Sequence, residues 1–296
     1  MSSSFLYKAI FDQSPTPKRL ILSLLSAPSM TRISAAQSAQ WGQLFGIDPA
    51  AMRVALGRLC KSGFLQSVAR GVYEVGPAGA TLRTAASSWV SAEHLKGPWN
   101  GDWLLVHTAH LGRRDKRLAR NRDRALRLEG FQSPLRDLWC RPANYRESLV
   151  ETKARMVTLG MEQEAAVSRS SEVLGADLQL ESLWPRAALE KSYEDATELM
   201  KDSRRRISDY RLEEAARETF LIGEYVIRQI NADPMLPDEM IDGAARRKMH
   251  AAMLSYDKLG HGVWQRFQKQ HQRRSMSNEN PVSEDNARTR KWIRND

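Results

Sequence analysis

The 296-residue chain has little of what marks exported, membrane-spanning or cysteine-stapled proteins. Its two cysteines, Cys60 and Cys140, allow one bridge at most and form no CxxC pair. They read as two reduced, partly buried thiols rather than a redox or zinc site. No apolar run approaches the roughly 18 residues of a membrane-spanning helix, and the longest one near the start is broken by Ser23 and Ser26. The opening Met1-Ser2-Ser3-Ser4 has no basic start followed by an apolar segment and a small-residue cleavage site, so a cytoplasmic protein is expected. There is no GxSxG elbow, no GxxxxGK[ST] loop and no GxGxxG turn, which leaves hydrolase, nucleoside-triphosphatase and dinucleotide readings without an anchor. No internal repeat is visible.

What is present is a folding composition and a lopsided charge. With 42% hydrophobic and 27% charged residues the chain reads as globular, and its length suits two or three domains. The net charge of +10 is unevenly placed: residues 1–97 carry +6, residues 98–171 carry +5, residues 172–276 carry −1, and the remainder is neutral. An excess confined to the first two thirds points to a polyanionic partner there, nucleic acid first and a phosphate-bearing small molecule second. Breaks at Gly97-Pro98, Asn100-Gly101 and Gly175-Ala176 divide the chain into expected domains at 1–90, 98–172 and 176–269, with a mobile tail at 270–296.

The first domain has a legible grammar of starts and stops. Thr16 caps a helix that Pro17 opens, with Leu20, Ile21, Leu24 and Leu25 on one apolar face. Ser34-Ala35-Ala36-Gln37 has the form of a capping box before Trp41, Leu44 and Phe45, and Gly46 supplies an exit. Asp48 and Pro49 begin a third helix whose Met52, Ala55, Leu56 and Leu59 recur at helical spacing until Gly63. Phe64–Val68 and Val72–Val75 flank Ala69-Arg70-Gly71 as a short hairpin with a basic tip. Three helices with a tight second connection, then a hairpin, predict a winged helix-turn-helix.

Burying Met52, Ala55, Leu56 and Leu59 turns Ala50, Arg53, Val54, Gly57, Arg58 and Lys61 outward. Arg53 and Arg58 can donate to guanine edges or phosphate, and Lys61 suits phosphate. Val54 offers an apolar contact for a thymine methyl, while Ala50 and Gly57 let the helix backbone come close. Arg70 at the hairpin tip reaches for a flanking phosphate or minor groove.

The middle domain begins with an apolar strand, Trp103–Thr108, followed by a basic helix to about Leu128. A second strand region runs from Gly130-Phe131 to Leu138-Trp139-Cys140, a helix spans Tyr145–Leu159, and a further strand is expected at Glu164–Ser168. A β-α-β-β-α-β ferredoxin-like sandwich is the simplest arrangement for that order. Arg113, Arg117, Arg120, Arg124 and Arg127 fall on one helix face, either a solvated surface or an anion site for DNA phosphates or a phosphorylated effector. The last domain is helical: Trp184-Pro185 opens one helix, Leu212–Ile230 forms another, and Asp233-Pro234-Met235-Leu236-Pro237 is a turn no helix crosses. A helix at about Ala244–Phe267 carries Met249, Met253 and Trp264 as core or dimer interface. The fold class expected for the whole is α+β.

These residues together resemble the PaaX family of repressors of phenylacetate and related aromatic catabolism. The likeness rests on Ala51-Met52-Arg53-Val54-Ala55-Leu56-Gly57-Arg58-Leu59 with Gly63-Phe64-Leu65, and on Trp99-Asn100-Gly101-Asp102-Trp103. It continues through Gly130-Phe131, Leu138-Trp139-Cys140-Arg141-Pro142, Leu183-Trp184 with Tyr193, and Asp233-Pro234-Met235-Leu236-Pro237. It implies a homodimeric repressor released by an aryl-coenzyme A thioester such as phenylacetyl-CoA. Two copies are expected on an inverted-repeat operator, and, with no catalytic motif in the sequence, neither an enzymatic activity nor a cofactor is expected. Under that implication Arg113, Arg114 and Arg117 are candidates for the coenzyme A phosphates, and Trp139 and Trp184 for walls around the acyl group. The alternative is a metal-dependent nuclease of the small CRISPR-associated kind, which the middle fold resembles. That chemistry wants a carboxylate near the end of the first strand, where this chain has Val106-His107-Thr108-Ala109-His110. His107 and His110 are expected on opposite strand faces, which argues against a metal pair.

Overall fold

The computed structural model describes residues 3–26, 30–173, 175 and 178–278. In chain order its elements are α1 Ser3–Phe11, α2 Pro17–Leu25, β1 Arg32–Ser34, α3 Ala35–Gln43, α4 Pro49–Lys61, β2 Leu65–Ala69, β3 Val72–Val75, α5 Pro77–Ser87 and α6 Ala92–Leu95. There follow β4 Trp103–His107, α7 Lys116–Leu128, β5 Gln132–Leu135, β6 Leu138–Pro142, α8 Leu149–Thr158, β7 Ala166–Ser170, α9 Arg186–Arg206, α10 Leu212–Ala232 and α11 Gly243–Asn278. The fold is α+β, with two antiparallel sheets. No helix among the described residues is long and apolar enough to cross a membrane.

The contacts divide into two compact units. A helix–hairpin unit comprises Phe11–Thr81, Ser203–Leu221 and the chain from Tyr256; a sheet unit comprises the chain up to Ile10, Leu82–Asp202 and Ile222–Ser255. The segment 176–269, expected as one helical domain, contributes residues to both units.

In the helix–hairpin unit the capping chemistry acts where the sequence places it. The Arg19 amide donates to Thr16 Oγ1 at 3.3 Å, and the Ala50 amide to Asp48 Oδ1 at 2.6 Å. Ser34 and Gln37 form a reciprocal capping box, at 3.0 and 2.8 Å. Leu20, Ile21, Leu24 and Leu25 of α2 are buried with Met52, Leu56 and Leu59 of α4. A Cβ on Gly42 of α3 would stand 2.7 Å from Met52 Cγ, so the close α3–α4 packing depends on that missing side chain. Trp41 and Phe45 of α3 pack edge-on against Trp264 of α11 and Phe220 of α10, with ring centroids 6.2 and 5.1 Å apart. The aromatic stripe of the last helix is therefore core within this chain.

The hairpin starts one residue later than expected, at Leu65, and gains a third strand the sequence does not advertise. β1 pairs antiparallel with β3, Ile33 opposite Tyr73, giving the order β1-β3-β2.

In the sheet unit β4 lies between β6 and β7, all antiparallel, in the order β5-β6-β4-β7. Leu104 and Val106 of β4 pack with Ala125 and Leu126 of α7, Phe131, Trp139 of β6 and Met156 of α8. The strand region expected over 130–140 holds two strands, as a β-α-β-β-α-β order requires, split at Arg136-Asp137, where Asp137 takes φ 59°. The expected helix start at Tyr145 moves to Leu149, because Ser148 and Glu151 form a capping box. α11 runs to Asn278, past the expected end at Phe267 and into the segment expected as a mobile tail; residues 279–296 lie outside the described residues.

Motifs far apart in sequence meet in the sheet unit. The guanidinium of Arg141, 1% exposed, donates to the carbonyls of Glu129, Pro142 and Pro234 and to Asn144 Oδ1. It also lies 3.8 Å from the ring centroid of Tyr145. Asn144 Nδ2 donates to the Met235 carbonyl at 2.7 Å, and Asp233 Oδ1 accepts from the Met235 amide at 2.7 Å. Arg246 donates to the Leu236 carbonyl at 2.7 Å and pairs with Glu93 at 3.0 Å. Gly130, at φ 77°, lies against Pro234, whose carbonyl oxygen would be 2.8 Å from a Cβ. The Asp233–Pro237 turn is thus fixed by its backbone, and the side chains of Arg141, Asn144 and Arg246 satisfy its carbonyls at Pro234, Met235 and Leu236.

Two outcomes follow. Arg141→Ala strands several buried acceptors at once and should cost at least ~3 kcal/mol of stability; chemical denaturation checks it, and an unchanged midpoint contradicts the clamp. Burial pushes the Asp238 carboxyl up, but Lys96 and Arg247 hold it down at about 2. Because the folded value lies below the ordinary one, the stability it contributes is present above pH 3.8 and disappears as pH falls toward about 2. The melting difference between the parent protein and Asp238→Asn should therefore shrink over that acid window.

Candidate nucleic-acid interface

α4 buries one face and presents the other. Met52, Ala55, Leu56 and Leu59 are inside, and Ala50, Arg53, Val54, Gly57, Arg58 and Lys61 are all exposed. The sequence expectation for these side chains matches their placement. Arg53, Arg58 and Lys61 have no ion-pair partner among the described residues, so the protein does not neutralise the charge it displays there. Arg58 and Lys61 fall in the last helical turn, where a cation also suits the helix dipole; Arg53, in the middle, gains nothing from it. Between them Val54 is 53% exposed, an apolar side chain facing outward.

Gly57 is the informative position on this face. A Cβ built there meets nothing within 4 Å, so internal packing does not require glycine. A glycine inside a helix costs about 0.5–1 kcal/mol relative to alanine. Packing within the chain therefore does not account for the glycine, and exposed guanidiniums at Arg53 and Arg58 stand on the same face.

The hairpin is held beside α3 by short connections. The Ala35 amide donates to the Gly71 carbonyl at 2.8 Å, so the Ala69-Arg70-Gly71 tip is tied to the first residue of α3. Arg32 of β1 pairs with Glu74 of β3. Arg70 is exposed at the tip, along with Gln66, Ser67, Val68 and Ala69 on β2. Sequence reading missed β1 and the outward Val68; three residues are too short to show an alternation, and only the wholly buried Ile33 hints at the strand.

The five residues expected to hold a coenzyme A thioester lie in dissimilar surroundings. Arg113 precedes α7 and pairs with Asp123 at 2.6 Å and Asp137 at 3.7 Å. Those carboxylates raise its pKa, Asp123 by hydrogen bond first. Arg114 and Arg117 are exposed. Trp139 is buried in the sheet–helix core, with Arg127 over its ring at 5.9 Å. Trp184 is buried on Trp103, stacked at 6.1 Å, and donates Nε1–H to the Gly130 carbonyl.

A small hollow of about 10 Å³ in the sheet unit is lined instead by Glu93, Ile230, Asp233, Met235, Arg246, Met249 and His250. It holds one water at most. No local motif announces it, since its side chains come from distant parts of the sequence. β4 ends at His107, so His110 is not on the strand as expected; its Nε2 meets the Glu164 carbonyl at 2.9 Å. Among the described residues no three His, Cys, Asp or Glu side chains gather as a metal site would need.

No protein-family model matches the chain, and no curated protein does. Among solved structures, the uncharacterized protein Rv0674 from Mycobacterium tuberculosis is similar, with a TM-score of 0.56 at 19% identity, over 84% of this chain and 99% of that one. At that identity the likeness speaks for the fold alone.

If Gly57 is bare for an external partner, Gly57→Ala should stabilise the folded protein by about 0.4–1 kcal/mol while weakening DNA binding. Thermal melting and a gel shift on the same preparation check the pair of signs.

Proposed function

We propose that the helix–hairpin unit is a winged helix-turn-helix that reads duplex DNA through α4, and that the protein is a ligand-responsive transcriptional repressor of the PaaX type. The observation that carries this reading is the outer face of α4: unneutralised Arg53, Arg58 and Lys61 around an outward Val54 and an open Gly57. Guanidiniums serve guanine O6 and N7 or phosphate, the valine serves a thymine methyl, and the bare backbone lets the helix sink into the major groove. The hairpin is the wing, and Arg70 at its tip reaches a flanking phosphate or the minor groove.

The sheet unit supports a ferredoxin-like reading, since β5-β6-β4-β7 is the strand order of a β-α-β-β-α-β sandwich. Two copies of the chain place their α4 helices on an inverted repeat with half-site centres about 34 Å, or a multiple of that, apart. An aryl-coenzyme A thioester such as phenylacetyl-CoA, the effector that the family resemblance implies, releases the DNA. A differential affinity of about 1–3 kcal/mol between the two states suffices to change occupancy five- to 150-fold.

Arg53→Ala and Arg58→Ala should each weaken operator binding by about 1–3 kcal/mol. Lys61→Ala should weaken specific and non-specific DNA alike and reduce the salt slope by about one. Gel shifts over a salt series measure both, and unchanged midpoints in both arginine variants remove α4 as the reader. Release of a protein–operator complex by phenylacetyl-CoA tests the effector; indifference to a panel of coenzyme A thioesters means another ligand class. Metal-dependent cleavage of RNA or DNA that survives Arg53→Ala would instead identify the nuclease alternative.

A further inference from the structure

The sheet unit carries a second cationic surface, and its accounting differs from that of α4. From Arg113 to Arg127 the chain has seven arginines and one lysine against two carboxylates. Both carboxylates are spent locally. Asp115 caps α7, accepting from the Arg117 and Leu118 amides at 2.8 and 3.0 Å. Asp123 accepts from Arg113 at 2.6 Å. Arg122 turns inward, wholly buried, donating to the Gly112 carbonyl and pairing with Glu162 at 3.3 Å. What remains outward is Arg114, Lys116, Arg117, Arg120, Arg124 and Arg127, all exposed and without an ion-pair partner among the described residues.

Arg117, Arg120, Arg124 and Arg127 stand three or four residues apart, so each is the neighbour of the next on one helix face. Like charges at that spacing destabilise a helix by roughly 0.2–0.5 kcal/mol per pair. Cations in the first turn, where α7 has Lys116 and Arg117 behind the capping Asp115, also oppose the helix dipole. Intrahelical stability therefore does not account for the face. At 1.5 Å per residue the four guanidiniums cover about 15 Å of axis. A convex row that long cannot converge on one di- or triphosphate, which a concave cradle of donors serves. It does match a strand of nucleic acid, whose phosphates advance about 3.4 Å apiece along a duplex axis.

We propose that the outer face of α7 is a sequence-independent binding surface for the phosphate backbone of nucleic acid. It goes beyond base reading by α4, because its partner is the backbone alone and its residues belong to the other unit.

The test uses the full chain and a fluorescent non-operator duplex, with affinity measured over a salt series. Each phosphate neutralised contributes about 0.9 to the log–log slope, so combining Arg117→Gln, Arg120→Gln and Arg124→Gln should reduce the slope by about two to three. The corresponding triple lysine variant keeps the charge and should keep the slope; loss of slope in both variants would mean a structural role and overturn the proposal. In an Arg53→Ala/Lys61→Ala background non-specific binding should persist and still drop on the three glutamine changes. Disappearance of all binding in that background would overturn the α7 surface while leaving α4 as the reader. A slope indifferent to α4 but lost with α7 would do the reverse. Displacement of the duplex by charge-matched polyglutamate as readily as by unlabelled duplex would assign the face to an acidic protein and overturn it.

Discussion

The sheet unit depends on one buried cation. Arg141 sits at the end of β6 with almost no exposure and spends its donors on the carbonyls of Glu129, Pro142 and Pro234 and the side chain of Asn144. Among the described residues no carboxylate pairs with it, so its charge is compensated by carbonyl dipoles and by the face of Tyr145. A guanidinium suits such a place because its five donors are fixed in a plane and always charged. Taking it out of water is tolerable only while every acceptor is in position, which ties the α7–β5 connection, β6 and the Asp233–Pro237 turn to one geometry. Gly130 completes the constraint from the other side, where a Cβ would collide with Pro234.

Arginine thus does opposite work on the two sides of the surface. Arg122, Arg141 and Arg246 are inside and matched to carbonyls or carboxylates that the fold supplies. Arg53 and Arg58 on α4, and Arg117, Arg120 and Arg124 on α7, are outside, and none of them is held in an ion pair among the described residues. The excess positive charge of the first two thirds of the sequence therefore measures only part of the arginine content. The remainder is structural, and composition alone does not separate the two.

The helix–hairpin unit was legible because its signals are local. Thr16, Ser34 and Asp48 cap within three residues of themselves, and the period of Met52, Ala55, Leu56 and Leu59 names the buried side of α4 without reference to anything else. Once that side is known the outward residues follow by rotation. The rest was not legible because its signals are distant. β1 exists only through its pairing with β3, some forty residues on in the chain. Trp139 and Trp184 are aromatic in a way that suits a ligand wall or a packed core equally, and only tertiary contacts distinguish the two. α11 outran its expected length because a polar helix without a terminal glycine gives no stop signal in its sequence.

Ser34 ends β1 and caps α3, so strand and helix share a residue and no linker lies between them. The Gly71 carbonyl then bonds to the very next amide. A flap on its own tether could swing; this one has no tether and must travel with α3. Extra residues cannot be absorbed at that junction without breaking either the capping box or the strand pairing.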